Sequence, residues 1–271
     1  MLLNKELLYA LKIFLNRFSS AQSGFFMFTH QIFYLYDMDF QTKNIDVAVG
    51  DFNLKLTIIE NIDALFDALI QKGVDHEDVK DERIPYWAEL WASAIALSLY
   101  LVENQLVSNE KSVTEIGCGL GLPSIVAGLL GAKEVILTDY LPEALDFAKQ
   151  NWLQNLPEKN ARFQVLDWRN PDPSVSADIL LASDVAYESR AFEPLLNAFK
   201  ILLNPNGIIL ITEPNRYISK KFFLGLNTLS QKDAFGKGIN EGYDVKHSTM
   251  NIERKGHVFL INIYELRLKC I

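Results

Sequence analysis

Three glycines at alternate positions are the residues of this chain whose spacing most clearly predicts chemistry. They are Gly117, Gly119 and Gly121. Their segment, 113–123, has the sequence VTEIGCGLGLP, in which a predicted buried strand precedes the glycines and Pro123 is suited to the first turn of a helix. A second predicted strand, which is apolar, ends at Asp139, about where a carboxylate of a βαβ unit meets a ribose. Together these features predict a cradle for a nucleotide-containing cofactor.

The spacing of the glycines favours one class of cofactor. Dinucleotide-binding folds use G-x-G-x-x-G, and that register would place Leu122 where the third glycine belongs. This chain has G-x-G-x-G, with the acid Glu115 ahead of it. The pattern resembles that of the seven-β-strand methyltransferases, which bind S-adenosylmethionine. An NAD-binding fold is the alternative, and a tight turn without a ligand is a third interpretation.

This resemblance implies roles for the residues around the glycines. The glycines would make room for the amino-acid and ribose portions of S-adenosylmethionine, and Glu115 would orient its ammonium group. Asp139 would accept hydrogen bonds from both ribose hydroxyls, because a carboxylate can accept two charge-assisted bonds at once. Tyr140, the next residue, is assigned to the same pocket.

A second acid and an aromatic residue follow a later predicted strand. Asp167 comes after the stretch 163–166 and is placed to receive the adenine amino group. Trp168 could cover the face of the adenine ring. A helix cap or turn is the alternative role for Asp167.

Three further segments resemble one branch of that superfamily, the small protein lysine methyltransferases. They are 85–93 (PYWAELWAS), 166–169 (LDWR) and 183–188 (SDVAYE). The resemblance extends over about 45–268. It implies that Asp184 and Tyr187 lie on the substrate side, and that Trp91 and Ser183 belong to the cofactor pocket. The last segment replaces the Asn-Pro-Pro-Tyr type of motif, which disfavours methylation of DNA bases and glutamine.

The expected reaction is direct transfer of a methyl group from a sulfonium to a neutral amine. Proximity and orientation would supply most of the catalysis. Asp184 could orient the amine and Tyr187 could contact it, whereas a helix-capping carboxylate and a packed aromatic are the structural alternatives. The expected acceptor is a protein lysine. A small-molecule amine, a cofactor-binding protein without turnover and a dehydrogenase are the other hypotheses.

The hydrophobic pattern predicts an α/β fold with a doubly wound, Rossmann-like sheet of seven strands. Predicted parallel strands are 112–116, 134–138, 162–165, 179–183 and 207–212, with helices between them. The stretches 243–252 and 257–268, joined by a polar turn at 253–256, predict an antiparallel pair at one edge.

The residues ahead of this core predict an extension. A β-hairpin over 45–59, turning at 50–53, and a helix over 61–71 come first, and a further helix follows the 84–93 segment and ends near Glu103. We therefore expect an N-terminal extension at 1–36, helical or non-native, an appendage at 37–110, and a cofactor-binding core at 111–271.

Composition excludes several classes of function. The 271 residues carry a net charge of −8, which argues against broad electrostatic binding of nucleic acid. Two cysteines, Cys118 and Cys270, suggest neither a disulfide framework nor a zinc site, and a reducing cytoplasm fits best. The four histidines lack metal-ligand spacing, so no metal is expected. No stretch has the length of a membrane span.

Overall fold

Strands and helices alternate through most of the chain in this computed structural model, which describes residues 41–73, 75–76, 79, 85–228 and 242–268. The strands are β1 Thr42–Val49, β2 Phe52–Ile59, β3 Ser112–Ile116, β4 Glu134–Asp139, β5 Arg162–Val165, β6 Ala177–Ser183, β7 Leu203–Glu213, β8 Tyr243–Arg254 and β9 His257–Leu268. The helices are α1 Ile62–Gln71, α2 Ala92–Asn104, α3 Leu122–Leu129, α4 Pro142–Asn155, α5 Phe192–Leu202 and α6 Tyr217–Thr228. The N-terminal extension expected at 1–36 lies outside the described residues.

Seven strands form one mixed sheet in the order β5-β4-β3-β6-β7-β9-β8. Strands β3 to β7 pair in parallel with one another. Strand β9 runs antiparallel to β7, and β8 runs antiparallel to β9 at the edge. The prediction of a doubly wound sheet that ends in an antiparallel pair is therefore confirmed.

The central strands are buried on both faces, as their apolar sequences require. Leu180 and Leu181 of β6 are neighbours on opposite faces, and both are inaccessible to solvent. The same holds for Leu210 and Ile211 of β7. Side chains that alternate between faces are buried together only when helices cover both sides of the sheet, which is the arrangement of a doubly wound fold.

Strand β7 is longer than the hydrophobic pattern predicted, and the C-terminal turn is shorter. Strand β7 begins at Leu203 and not at residue 207, because Leu203 pairs with Ala177 at the start of β6. The C-terminal turn has two residues and not four, because Lys255 and Gly256 both adopt positive φ, as a tight hairpin turn requires.

An N-terminal hairpin, β1–β2, packs against α4. The buried Asn151 of α4 accepts a hydrogen bond from Thr57 N at 2.7 Å and donates to Thr57 O at 3.3 Å and Leu120 O at 3.1 Å. This side chain therefore links the hairpin, α4 and the glycine segment. The division of the chain at residue 110 stays a prediction.

Helix α2 closes one face of the sheet near its antiparallel edge. Ala92 and Ala96 of α2 pack with Ile252 and Ile261 of the β8–β9 pair. Over the ranges that the structure describes, no helix combines the length and the apolar character needed to cross a bilayer.

Candidate functional site

A cavity of about 450 Å³ lies at the carboxyl edge of the parallel strands. Ligands of doubly wound folds bind at this edge, and the volume is within the usual range for small-molecule sites. Its lining includes all of the residues that the sequence assigned to a site except Glu115. These are Trp91, Gly117, Gly119, Gly121, Asp139, Tyr140, Asp167, Trp168, Ser183, Asp184 and Tyr187.

The glycine segment forms a tight loop between β3 and α3. Gly117, Gly119 and Gly121 have φ values of 67°, 49° and 80°, which L side chains rarely adopt. A Cβ on Gly121 would also lie 2.9 Å from Leu137 Cδ2, and one on Gly117 would lie 3.0 Å from Val185 Cγ1. The three glycines are therefore required by the backbone and by close packing.

Asp139 lies at the end of β4, and its carboxylate holds the glycine loop. Its Oδ2 accepts a hydrogen bond from Gly119 N at 2.9 Å, and its Oδ1 accepts one from Leu141 N at 3.1 Å. Burial raises the pKa of this carboxyl, while the backbone bonds oppose that rise. A carboxylate with two oxygens fixed beside the loop is well placed to receive a diol from the cavity.

Glu115 lies beneath the glycine loop and not on the cavity wall. Its Oε2 accepts hydrogen bonds from Ser124 N at 3.1 Å and Ser124 Oγ at 2.5 Å, in the first turn of α3. Its Oε1 is buried and has no hydrogen-bond partner within the described part of the chain. Burial raises the pKa of Glu115 to about 8. This placement favours a role in fixing the start of α3.

Asp167 is held by the second residue after it. Arg169 N and Nε each donate to Asp167 Oδ1 at 2.9 Å, and the Arg169 guanidinium also pairs with Oδ2 at 2.8 Å. The same guanidinium lies over the Tyr140 ring at 5.2 Å and donates to the Tyr140 hydroxyl at 3.1 Å. With Trp168, these groups line the cavity beside the glycine loop.

Asp184 follows β6 and lines the cavity with a largely buried carboxylate. Its side chain is 7% exposed, and Oδ2 accepts a hydrogen bond from Arg216 Nη2 at 2.7 Å. Its φ is 54°, and its N–H donates to Thr212 O at 2.8 Å. Burial raises the pKa of Asp184 to about 6, and the Arg216 charge opposes that rise.

Aromatic rings line the cavity next to Asp184. Tyr86 makes edge-to-face contacts with Tyr187 at 5.6 Å and with Trp91 at 6.1 Å between ring centroids. Trp91 Nε1 donates to Tyr86 O at 2.7 Å, which fixes the indole. Burial raises the pKa of Tyr187 to about 12, so its hydroxyl stays protonated and can donate.

Among the residues that line this cavity and that the sequence analysis did not assign are Tyr86, Glu89 and Arg216. Arg216 follows β7 and belongs to no motif, so nothing in the sequence indicated its contact with Asp184. Tyr86 and Glu89 lie in the 85–93 segment, where only Trp91 was assigned a role. Glu89 pairs with Arg254 and Lys255, which places the β8–β9 turn beside the cavity.

Comparisons with known proteins identify relatives of this chain. Residues 77–229 match the sequence profile of a family described as lysine methyltransferase. The protein N-lysine methyltransferase METTL21A of Xenopus tropicalis is 32% identical over 146 residues, which cover 52% of this chain and 67% of that protein. The protein-lysine methyltransferase METTL21E of Mus musculus is 38% identical over 152 residues, which cover 50% of this chain and 62% of that protein.

A third relative and one solved structure extend the comparison. The protein N-terminal and lysine N-methyltransferase EFM7 of Candida glabrata is 34% identical over 147 residues, which cover 49% of this chain and 57% of that protein. The crystal structure of magnesium protoporphyrin IX methyltransferase from Synechocystis PCC 6803 with bound S-adenosylmethionine has a TM-score of 0.50 at 16% identity. It covers 76% of this chain and 93% of its own, and it shows a shared fold.

Proposed function

The chain belongs to the lysine methyltransferase family, and from this premise we propose that it transfers a methyl group from S-adenosylmethionine to a lysine side chain of a protein. It is thus an S-adenosylmethionine-dependent methyltransferase. The protein acceptor is inferred from its relatives, which are named as methyltransferases of protein lysines. The observation that carries the proposal is that one cavity joins the glycine loop and Asp139 to Asp184 and Tyr187.

The cavity residues fit S-adenosylmethionine. Asp139 would accept the ribose hydroxyls, the glycine loop would admit the amino-acid portion, and Asp167 with Trp168 would receive the adenine. The loop fits this role because Cys118 N and Gly119 N are tied to β4, through Thr138 O and Asp139 Oδ2, so the backbone is already in place. When bound, the cofactor supplies an electrophilic methyl group on a sulfonium.

The acceptor side must hold an amine with its lone pair free. Asp184 can orient the amine by accepting a hydrogen bond, and its carboxylate is largely ionised above pH about 6. Tyr187 keeps its proton at neutral pH, which supports a contact through its ring or hydroxyl and argues against a role as the base. Tyr86, Trp91 and Tyr187 would exclude water from the amine, and a drier site lowers the pKa of a lysine.

Labelling of proteins tests this proposal. Purified protein is incubated with S-adenosylmethionine carrying a labelled methyl group and with a lysate, and labelled proteins are digested and sequenced by mass spectrometry. We expect label on lysine, and the Asp184→Asn variant should bind S-adenosylhomocysteine normally but lose at least about tenfold in rate.

Other outcomes of the labelling would refute the proposal in different ways. Label found only in the fraction of small molecules would show that the acceptor is a small amine and not a protein. Label on α-amino termini alone would exclude lysine. Binding of the cofactor with no label in any fraction would indicate a protein without turnover.

We also propose a reducing compartment, the cytoplasm, as its location. Cys118, in the glycine loop, is buried and forms no disulfide within the described residues. Structural disulfides are typical of proteins from oxidising compartments, so a free thiol here favours a reducing one. Fractionation of cells with an antibody to the native protein tests this, and enrichment in a secreted or organellar fraction would contradict it.

A further inference from the structure

Arg216 lies on the acceptor side of the cavity, where the proposed function gives it no role. Its guanidinium donates to Asp184 Oδ2 at 2.7 Å and lies 6.0 Å from the centroid of the Trp91 ring. The Arg216 side chain is 36% exposed, whereas that of Asp184 is 7% exposed. The arginine therefore extends from the surface to a buried carboxylate of the cavity wall.

The turn after β7 holds the main chain of Arg216 in place. Glu213 Oε2 accepts hydrogen bonds from Arg216 N at 2.8 Å and from Ser219 Oγ at 2.6 Å. Glu213 Oε1 accepts a hydrogen bond from Asn262 Nδ2 of β9. Because Glu213 is buried and has several donors, the position of Arg216 is set by β7, α6 and β9 together.

The Arg216 charge opposes protonation of the buried Asp184 carboxyl. Its Oδ1 is buried and has no hydrogen-bond partner among residues 41–73, 85–228 and 242–268. Among the described residues, the charged and titratable groups that face Asp184 are Glu213 at the end of β7, Arg216 in the turn after it, and Tyr187 from its own loop. Of these three, Arg216 alone is a cation. A buried carboxylate without a paired cation takes up a proton.

We propose that Arg216 is a positioning residue for methyl transfer, which holds the Asp184 carboxylate ionised and in one orientation beside the acceptor amine. This inference rests on the proposed function. The pair has a second effect, because the Arg216 charge offsets that of Asp184 and so weakens its preference for an ammonium over a neutral amine. The neutral amine is the form that can attack a methyl group.

Titration of the Asp184 carboxyl tests the contact without any activity. Carbon-13 NMR of protein labelled at aspartate carboxyls follows the midpoint, with Asp184→Asn to assign the signal. We expect Arg216→Met to raise the midpoint by about one pH unit or more, and Arg216→Lys to raise it less. Arg162→Met is the matched control, because Arg162 pairs with Glu134 away from the cavity. An unchanged midpoint in Arg216→Met would overturn the proposal.

The pH profile of methyl transfer tests the positioning role. The probe is labelled S-adenosylmethionine with lysate proteins as acceptors, and the initial rate is followed from about pH 5 to about pH 9. We expect the acid limb in Arg216→Met to move upward with the NMR midpoint. An equal loss of rate at every pH would overturn the proposal, since a merely structural residue behaves in that way. If the wild type transfers no methyl group, the proposed function fails, and the titration by itself decides whether Arg216 governs Asp184.

Discussion

Replacing Asp139 by alanine should abolish tight binding of the cofactor while the fold persists. In the structure both carboxylate oxygens are fixed, one by Gly119 N at 2.9 Å and the other by Leu141 N at 3.1 Å, and the residue lines the cavity. We expect these oxygens to accept the two ribose hydroxyls as well. The variant would lose both ribose contacts and leave the glycine loop without its anchor.

The magnitude of this effect follows from the number of bonds lost. A hydrogen bond to a charged group contributes about 1.5–3 kcal/mol, so two such bonds contribute at least about 3 kcal/mol. Because each 1.4 kcal/mol corresponds to a tenfold change in affinity, the Kd for S-adenosylhomocysteine should rise about 100-fold. Two backbone N–H groups lose their acceptor, and at about 1–3 kcal/mol for each unsatisfied donor the free energy of unfolding should fall by about 2–6 kcal/mol.

Isothermal titration calorimetry with S-adenosylmethionine, S-adenosylhomocysteine and NAD measures the change in Kd. Asp172→Ala is the matched control, because Asp172 also accepts a hydrogen bond from the N–H two residues ahead, at 2.9 Å, but lies outside the cavity lining. Its Kd should equal that of the wild type. A folded Asp139→Ala variant with an unchanged Kd would refute the assignment, and preferential binding of NAD would support the dehydrogenase alternative.

Three further substitutions test the framework of the site. Burial raises the pKa of Glu115 from 4.5 to about 8, so the stability it contributes is full below about pH 4.5 and is lost as pH rises toward about 8. In urea unfolding, the free energy of unfolding of Glu115→Gln should therefore equal that of the wild type at about pH 4 and exceed it by about 1–3 kcal/mol at about pH 8. A difference that does not change with pH would contradict this. Asn151→Ala removes the buried amide that joins Thr57 to the glycine loop, so the free energy of unfolding should fall by about 2–4 kcal/mol and cofactor binding should weaken. A fall below about 1 kcal/mol would show that other contacts hold the hairpin. Gly128→Ala places a Cβ 2.5 Å from Trp152 Cη2, so it should lower the melting temperature by several degrees despite the better helix propensity of alanine. A higher melting temperature would mean that the indole can move.

Much of the fold could be predicted because each strand carries its own signal. Strands β3 and β5 occupy the predicted residues, since β-branched and aromatic residues between polar turns favour an extended chain. The glycine loop was predictable for a related reason. Its backbone conformation depends on glycine at Gly117, Gly119 and Gly121 themselves, and the adjoining strand and helix are contiguous with it.

Residues far apart in the chain were brought together by features that no local pattern contains. Asp184 and Arg216 are 32 positions apart, and they meet because β6 and β7 are parallel neighbours whose carboxyl ends share one edge. The contact of Tyr86 with Tyr187 depends likewise on the path of the 85–91 segment across that edge. Neither pair could be chosen from the sequence, where many arginines and tyrosines compete.

The sequence by itself therefore determined the order of strands and helices along the chain, the conformation of the glycine loop, the place of Asp139 at the end of β4, and the family. These depend on spacing within a few residues, where covalent geometry restricts the conformations. The tertiary structure alone decided that Glu115 points beneath the loop toward Ser124, and that Arg216 sets the environment of Asp184. Both outcomes depend on burial and on the partners that the folded chain places within hydrogen-bond distance, and these properties exist only once the sheet has formed.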